Sequence, residues 1–462
     1  MPAALMIDFG STYTKTVAVD LDTGALLGTS QSPTTVRENI MLGLDAAMEL
    51  LYQKTGRIEF EHKLACSSAA GGLRMVAIGF VKELTAEASK RAALGAGAKV
   101  IDVFSYGLGP DDLARLKAID PDVILLAGGT DGGNQTVLLE NAQLLAEAGL
   151  RAPVVVAGNK KAAHKAAKIL SDAGIEAILT ENVLPQVDVL NVEPARHAIR
   201  EVFMQKIVQA KGLDRAQSFV QRILMPTPMA VLNAAQLLAE GTDDQAGLGE
   251  LVIVDVGGAT TDVHSVAKMI TGGNAVVKGL PEPYCKRTVE GDLGIRFNAI
   301  SIVEMAGEKK VLANAGLEKG VIDLAAFARE LGTATEKVAR SAEEAKIDLG
   351  LARTATEIAI ARHAGTVEEV HYVDGKVRQQ VGKDLSEVKA LIGTGGVFAY
   401  GAHGVEVLGG ALYDPDQPQS MRPRIPNMYI DAHYCLFAVG LLAEVAPAAA
   451  LRMGLQNLQR AP

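Results

Sequence analysis

The chain contains no tryptophan, and aromatic residues make up only 4% of its 462 positions. Aromatic rings therefore cannot dominate the packing, and Ala, Val, Leu and Ile must fill the cores. Cysteine is scarce as well. Cys66, Cys285 and Cys435 lie far apart, with no Cys-x-x-Cys pair, so neither a disulfide framework nor a zinc site is readable. Isolated buried thiols are the reading, with an iron–sulfur cluster shared between two copies as the alternative. No apolar run reaches bilayer length; the longest near the C-terminus is Cys435–Ala443. Met1–Met6 lacks a basic flank and meets Asp8 almost at once, so no signal peptide is expected. A soluble protein of the reducing cytoplasm, without a membrane partner, is the expectation. Excess positive charge is missing too: the formal net charge of -9 argues against a nucleic-acid partner. Two familiar nucleotide motifs are absent, Gly-x-x-x-x-Gly-Lys-Ser/Thr and Gly-x-Gly-x-x-Gly.

What is present is an alternation of strand-like and helix-like segments with short glycine loops, the pattern of an α/β protein. Ala4–Asp8 and Thr16–Asp20 read as a hairpin, Ile40–Tyr52 as a helix ending near Gly56, and Leu64–Ser67 as a strand. Val100–Phe104, Val123–Ala127, Val154–Ala157 and Ala177–Leu179 read as strands of a parallel sheet, separated by helices at Asp112–Ala118, Gln135–Ala148 and Lys160–Ala173. Residues 186–246 read as mainly helical, with Pro226 and Pro228 starting the helix Met229–Glu240 and Gly241 ending it. Leu251–Asp255 opens a second hairpin-like region, 301–362 is helix-rich, Val388–Ile392 is a strand, and Val439–Leu451 a closing helix. The expected division is 1–97 for a first lobe, 98–185 for an inserted parallel α/β subdomain, 186–246 for a helical completion of the first lobe, and 247–462 for a second lobe.

The strongest chemical signal is a degenerate repeat. Asp8-Phe9-Gly10-Ser11-Thr12-Tyr13-Thr14-Lys15 is echoed by Asp255-Val256-Gly257-Gly258-Ala259-Thr260-Thr261-Asp262, each after an apolar strand. Glycine lets a turn bring its N–H groups close to an anion, and hydroxyls add donors. The leading Asp8 and Asp255 would hold Mg²⁺ through water, since Mg²⁺ keeps part of its hydration shell. Two such loops would clamp a triphosphate and its metal from both sides. Lys15 either reaches a phosphate or is an exposed strand residue. A third strand runs into a glycine turn at Gly393-Thr394-Gly395-Gly396, where a bulky side chain would bar a nucleoside.

Phosphate loop, connecting helix, second phosphate loop and adenosine loop, in that order, resemble the superfamily of actin, sugar kinases and heat-shock chaperones. The resemblance implies a bilobed actin-like ATPase fold of two ribonuclease-H-like halves, with ATP and Mg²⁺ between them. Asp8, Asp255 and Asp262 would then be the catalytic carboxylates. A closer resemblance is to the MutL/GlmL family, accessory proteins of adenosylcobalamin-dependent glutamate mutase and related aminomutases. It is carried by Ile7–Lys15, Cys66–Arg74, Leu126–Asn134, Pro226–Ala230, Val289–Gly294 and Gly393–Gly396, which span nearly the whole chain. It implies a reactivating factor whose slow ATP hydrolysis releases damaged cobalamin from mutase subunits. The alternatives are a small-molecule kinase on the same frame and a nucleotide-binding scaffold that barely hydrolyses ATP. No acceptor base for a kinase can be assigned, and nothing in the sequence fixes the oligomeric state.

Two further segments have a bland reading beside a functional one. Gly128–Asn134 is either an anion-binding loop or a tight turn with Asn134 as helix cap. Glu290–Gly294 either brings carboxylates to the cleft or lets Asp292 cap a helix. His264 reads as a packed imidazole.

Overall fold

The computed structural model describes residues 2–10, 13–35, 39–68, 73–93, 96, 98–187, 189–208, 222–269, 275–279, 281–318, 320–372 and 375–461. β1 (Ala3–Phe9) is buried at every position, as suits the centre of a sheet covered on both faces. It turns back into β2 (Tyr13–Asp20), with Asp8 opposite Lys15, and β3 (Leu26–Pro33) extends the antiparallel edge. α1 (Ile40–Thr55) is capped by Asn39, whose side chain accepts the Met41 amide, and ends at Gly56 with φ 71°. β4 (His62–Ser67) then lies parallel to β1.

From there the chain leaves the sheet and builds a separate unit. Its elements are β5 (Leu73–Gly79), α2 (Lys82–Ala93), β6 (Ala98–Ser105), α3 (Pro110–Ile119), β7 (Val123–Leu126), α4 (Thr136–Ala148), β8 (Val154–Val156), α5 (Lys160–Asp172), β9 (Ala177–Leu179) and α6 (Glu193–Val208). The five strands are parallel, in the order β6-β5-β7-β8-β9. α2 and α6 pack on one face, α3, α4 and α5 on the other. The expected boundary at residue 98 cuts this sheet, because its interior strand β5 lies upstream, concealed in the sequence behind the small-residue run at 69–72. α6 also belongs here and not to the first lobe: it packs against α2, and Arg196 donates to the Arg91 carbonyl at 2.9 Å.

β10 (Arg222–Pro226) returns to the first sheet beside β4. This strand falls where helix was expected; at the sheet edge its terminal proline needs no ladder donor. α7 (Thr227–Glu240) follows, with Pro228 in its first turn and Gly241 at φ 78° after its last. β11 (Gly241–Thr242) and β12 (Gln245–Ala246) form a small ribbon.

The second half repeats the first. β13 (Leu251–Val256) and β14 (Thr261–Val266) pair with Asp255 opposite Asp262. β15 (Ala275–Lys278) precedes β16 (Cys285–Glu290), which extends the antiparallel edge. α8 (Ala299–Ala306), α9 (Glu308–Ala315), α10 (Leu324–Thr333) and α11 (Ala342–His363) form a helical layer over one face. β17 (Thr366–Tyr372) and β18 (Gly375–Val381) join β15 in a side sheet. β19 (Ala390–Thr394) lies parallel to β13; then come α12 (Gly396–Tyr400), α13 (Gly404–Leu408) and β20 (Asn427–Asp431), parallel to β19. α14 (Leu436–Leu442), α15 (Pro447–Asn457) and β21 (Leu458–Arg460) end the chain. The single closing helix expected at Val439–Leu451 is therefore two helices, because Pro447 lacks an N–H and its ring stops the preceding turn from continuing.

Counted from each half's first strand, five strands of each sheet run 3-2-1-4-5, β3-β2-β1-β4-β10 and β16-β14-β13-β19-β20, and β21 adds a sixth to the second, antiparallel to β20. Strands one to three are antiparallel, and four and five are parallel to the first. The bilobed α/β architecture of two ribonuclease-H-like halves is thus present, with the parallel unit inserted between strands four and five of the first. α7 and α14 each follow the fifth strand of their own half and pack together in a core fed by both sheets. At their crossing a Cβ on Gly440 would overlap the Ala230 carbonyl, so the missing side chain sets how closely the helices approach. Among the described residues no helix is long and apolar enough to cross a membrane.

Candidate functional site

The two hairpins close in the same way. The Gly10 amide donates to the Tyr13 carbonyl at 3.1 Å, and the Gly257 amide to the Thr260 carbonyl at 2.9 Å. A Cβ at Gly10 would lie 2.5 Å from that carbonyl oxygen, and one at Gly257 3.0 Å from its counterpart, so glycine is what each turn admits. Ser11 and Thr12 lie outside the described residues, as do residues 69–72 of the Cys66–Arg74 segment.

The strand-ending carboxylates of the two hairpins are held differently. Asp8 is buried, and both its oxygens are engaged: Oδ2 accepts from Lys15 Nζ at 2.9 Å and Oδ1 from Thr227 Oγ1 at 2.6 Å. The Cys66 thiol stands 3.7 Å from Oδ1. Lys15 is therefore no exposed strand residue. Its ammonium also sits 4.0 Å above the Tyr434 ring, which the second half supplies. Burial alone would lower the Lys15 pKa, but Asp8, Tyr434 and Asp255 together hold it above its ordinary value. Among the described residues none hydrogen-bonds to the Asp255 carboxylate. Burial, then the charge of Asp262, push Asp255 up to about 7 against the pull of Lys15, with Asp431 and Asp8 adding to the rise. Lys15 thus lies in the field of both leading carboxylates, one from each sheet.

Asp262 occupies the register position that Lys15 holds in the first hairpin. Its Oδ2 accepts from Arg287 at 3.2 Å, and its Oδ1 is buried without a partner. Burial raises its pKa against the opposing pull of Arg287. His264 is fully buried with neither ring nitrogen bonded, and burial followed by Arg287 drives its pKa down. It is a neutral packed imidazole.

The turn of the second hairpin is tied back from behind. The Gly258 carbonyl accepts the Arg296 and Phe297 amides at 2.9 and 3.0 Å, and the Ala259 carbonyl accepts Asn298 Nδ2 at 3.0 Å. Gly294 packs straight onto the Ala259 backbone. The preceding carboxylates are spoken for: Glu290 and Asp292 both pair with Arg362, at 2.6 and 2.9 Å. Asp292 caps no helix, since α8 starts only at Ala299.

The third loop meets the second. Gly395 has φ 108°, and a Cβ there would lie 2.5 Å from the Val256 carbonyl and 2.9 Å from Asp255 Oδ1. Gly393 packs against the Phe398 ring, while Gly396 faces open space, its nearest neighbour being Tyr400 at 4.0 Å. Asp431 ends the fifth strand nearby and is held by Thr394 Oγ1 at 2.8 Å and by the Cys435 and Leu436 amides. Tyr400 Oη reaches across to Gln31 of the first half at 3.1 Å.

The structure therefore brings Asp8, Lys15, Asp255, Asp262 and Gly395 together and leaves Gly128–Asn134 in the inserted unit, away from them. There Asn134 accepts the Val137 amide at 3.0 Å, a capping bond made from one position before the helix cap. A groove of about 690 Å³ also belongs to that unit, between α5 and α6, and not to the hairpins. Sequence reasoning missed Thr227, Asp431 and Tyr434. Thr227 lay within the quoted Pro226–Ala230 segment; the other two gave no local signal.

The profile of the MutL protein family matches residues 4–458. Protein MutL of Clostridium tetanomorphum is 48% identical over 456 residues, covering 98% of each chain. Among solved structures, the activator of 2-hydroxyisocaproyl-CoA dehydratase from Clostridium difficile with bound ADPNP aligns over 100% of this chain and 99% of its own, at 9% identity and a TM-score of 0.34. Xylulose kinase from Lactobacillus acidophilus aligns over 100% and 93%, at 11% identity and a TM-score of 0.37. At such scores neither structure carries weight, and the fold rests on the strand order of the two halves.

Proposed function

The chain belongs to the MutL protein family, and from that premise we propose that it is an ATP-dependent reactivating factor for an adenosylcobalamin-dependent glutamate mutase or related aminomutase. The observation that supports ATP is the convergence of Asp8 and Asp255, from two halves of identical strand order, on the shared Lys15. The residues present fit a Mg²⁺–triphosphate. Asp255 is a carboxylate with no donor among the described residues, placed beside a glycine loop that a Cβ would fill. Asp8 and Asp255 would hold Mg²⁺ through water, and the ion would supply positive charge against the crowded carboxylates and the phosphates when bound. Asp8 holds and orients Lys15, and Lys15 presents a positive charge between the two loops. The Gly10 and Gly257 amides are spent on closing their own turns, so the amides of Gly258 and Ala259, without a backbone partner among the described residues, would face the phosphates, and Gly396 would leave room for the nucleoside.

Nucleotide state would shift the lobes about the crossing of α7 and α14, and the inserted unit offers a surface to the mutase. Such a factor shifts its partner only as far as its affinities for two states differ. The test is to inactivate a glutamate-type mutase with hydroxocobalamin and then add this protein, ATP, Mg²⁺ and free adenosylcobalamin. Recovery that requires ATP and is lost in Asp255→Ala supports the proposal. No recovery, together with rapid phosphorylation of a small metabolite, would replace it with a kinase.

A further inference from the structure

The inserted unit has a feature that the paired hairpins do not use. Counted along the unit, its parallel strands run 2-1-3-4-5. In an open sheet of this kind, neighbouring strands whose following helices go to opposite faces leave a crevice at their carboxyl ends, and ligands bind there. β5 and β7 are such neighbours. α2, after β5, packs on one face, and α4, after β7, on the other. Phe80, Tyr106 and Gly128–Asn134 follow β5, β6 and β7 respectively at this edge.

These residues form one wall. The Phe80 and Tyr106 rings stand edge to face with centroids 6.1 Å apart, and a Cβ on Gly128 would lie 3.8 Å from the Phe80 amide nitrogen. Tyr106 is 60% exposed and has φ 66°, a left-handed backbone conformation that strains a bulky residue. It is pinned there by the buried Asn141, which accepts the Leu108 amide at 2.9 Å and donates to the Tyr106 carbonyl at 3.0 Å.

The glycine loop is pinned in turn. Asn159 donates to the Thr130 carbonyl at 2.5 Å, and Asn182 to the Gly129 carbonyl and to Asp131 Oδ1 at 2.9 Å each. The Lys160 amide and ammonium complete the neutralisation of Asp131. These bonds occupy the Gly129 and Thr130 carbonyls and the loop's only carboxylate. Among the described residues the amides of Gly129, Thr130 and Gly132 have no partner. Free amides around glycines attract anions, and exposed aromatic rings give a flat ring a surface on which to stack.

We infer that this crevice is a second ligand site, for a flat heteroaromatic ring that carries a phosphate group. The ring stacks on Tyr106 and Phe80, and the phosphate meets the amides of Gly129–Gly132. The inference does not depend on how the paired hairpins are read. The probe is flavin mononucleotide, followed by fluorescence quenching on the full-length protein and on its Gly396→Val variant, in which the hairpin site is obstructed. The expected result is one site per chain, competition by inorganic phosphate, and weaker binding of riboflavin. Tyr106→Gly removes the ring and relieves the left-handed strain, so melting is maintained while affinity falls about tenfold or more; Tyr106→Phe retains it. Absence of quenching at millimolar flavin mononucleotide, loss of quenching in Gly396→Val, or unchanged affinity in Tyr106→Gly would each overturn the inference.

Discussion

Replacing Asp255 by Asn is expected to stabilise the protein above neutral pH while removing its Mg²⁺-dependent nucleotide binding. Burial and three neighbouring carboxylates push Asp255 from 3.8 up to about 7. The folded state therefore binds this proton more tightly than the unfolded chain does, and ionising the group opposes folding. The penalty is nil below about pH 4, grows between about pH 4 and 7, and is complete above that. At about 1.4 kcal/mol per pH unit the interval sets a ceiling of about 4 kcal/mol. Because the carboxylate keeps some contact with solvent, about 1–3 kcal/mol is the expected share. Asn keeps the shape and removes the charge. Urea unfolding of both proteins at about pH 5.5 and about pH 8 checks this: about half of the penalty falls in that interval, so wild type should lose about 0.5–1.5 kcal/mol more than the variant between the two, at equal m-values. Calorimetry with Mg²⁺–ATP supplies the functional arm. An Asp255→Asn protein less stable than wild type at the higher pH, or with the same pH slope, refutes the electrostatic argument.

Lys15→Met leaves the Asp8 carboxylate buried without its cation. With Thr227 still bonded, a stability loss of about 2–3 kcal/mol is expected in urea unfolding, together with weaker nucleotide binding by calorimetry. Gly395→Ala forces a Cβ into the Val256 carbonyl at a φ that disfavours side chains, so thermal melting should show a loss of about 2–4 kcal/mol. Gly396→Val should leave melting unchanged and lower ATP affinity; if affinity survives, the nucleoside lies elsewhere. Gly440→Ala should destabilise by on the order of 3 kcal/mol in the same melts, because no side-chain rearrangement clears the Ala230 carbonyl.

Whatever is local in the chain was legible. A strand ending in Asp-x-Gly followed by a β-branched strand reads as a hairpin from sequence, and both hairpins formed around Asp8 and Asp255. The inserted sheet was visible because each of its later strands is a continuous apolar run. What escaped was set by distant partners. Thr227 reaches Asp8 from the start of α7, and Tyr434 reaches Lys15 from the far end of the chain; neither obeys a period. β10 was missed because a short edge strand ending in proline resembles the approach to a helix. The locked state of Asp8 and the open state of Asp255 were likewise illegible, because the two loops look equivalent until Lys15 and Asp262 are seen at the same register position.

The place of the insertion has a consequence for biogenesis. β4 and β10 are neighbours and parallel, yet the whole of the five-stranded unit is synthesised between Ser67 and Arg222. Parallel strands cannot be joined by a tight turn and need a connection of a dozen or more residues, and here the unit is that connection. Until β10 emerges from the ribosome, the apolar edge of β4 has nothing to pair with, the kind of exposure that invites association between nascent chains. The unit's strand pairings all lie within its own stretch of chain, so its sheet completes first and delivers β10 to the waiting edge. A shortened gene that joins β4 to β10 by a few residues would lose the first lobe along with the insertion, whereas a replacement of helical length would spare it.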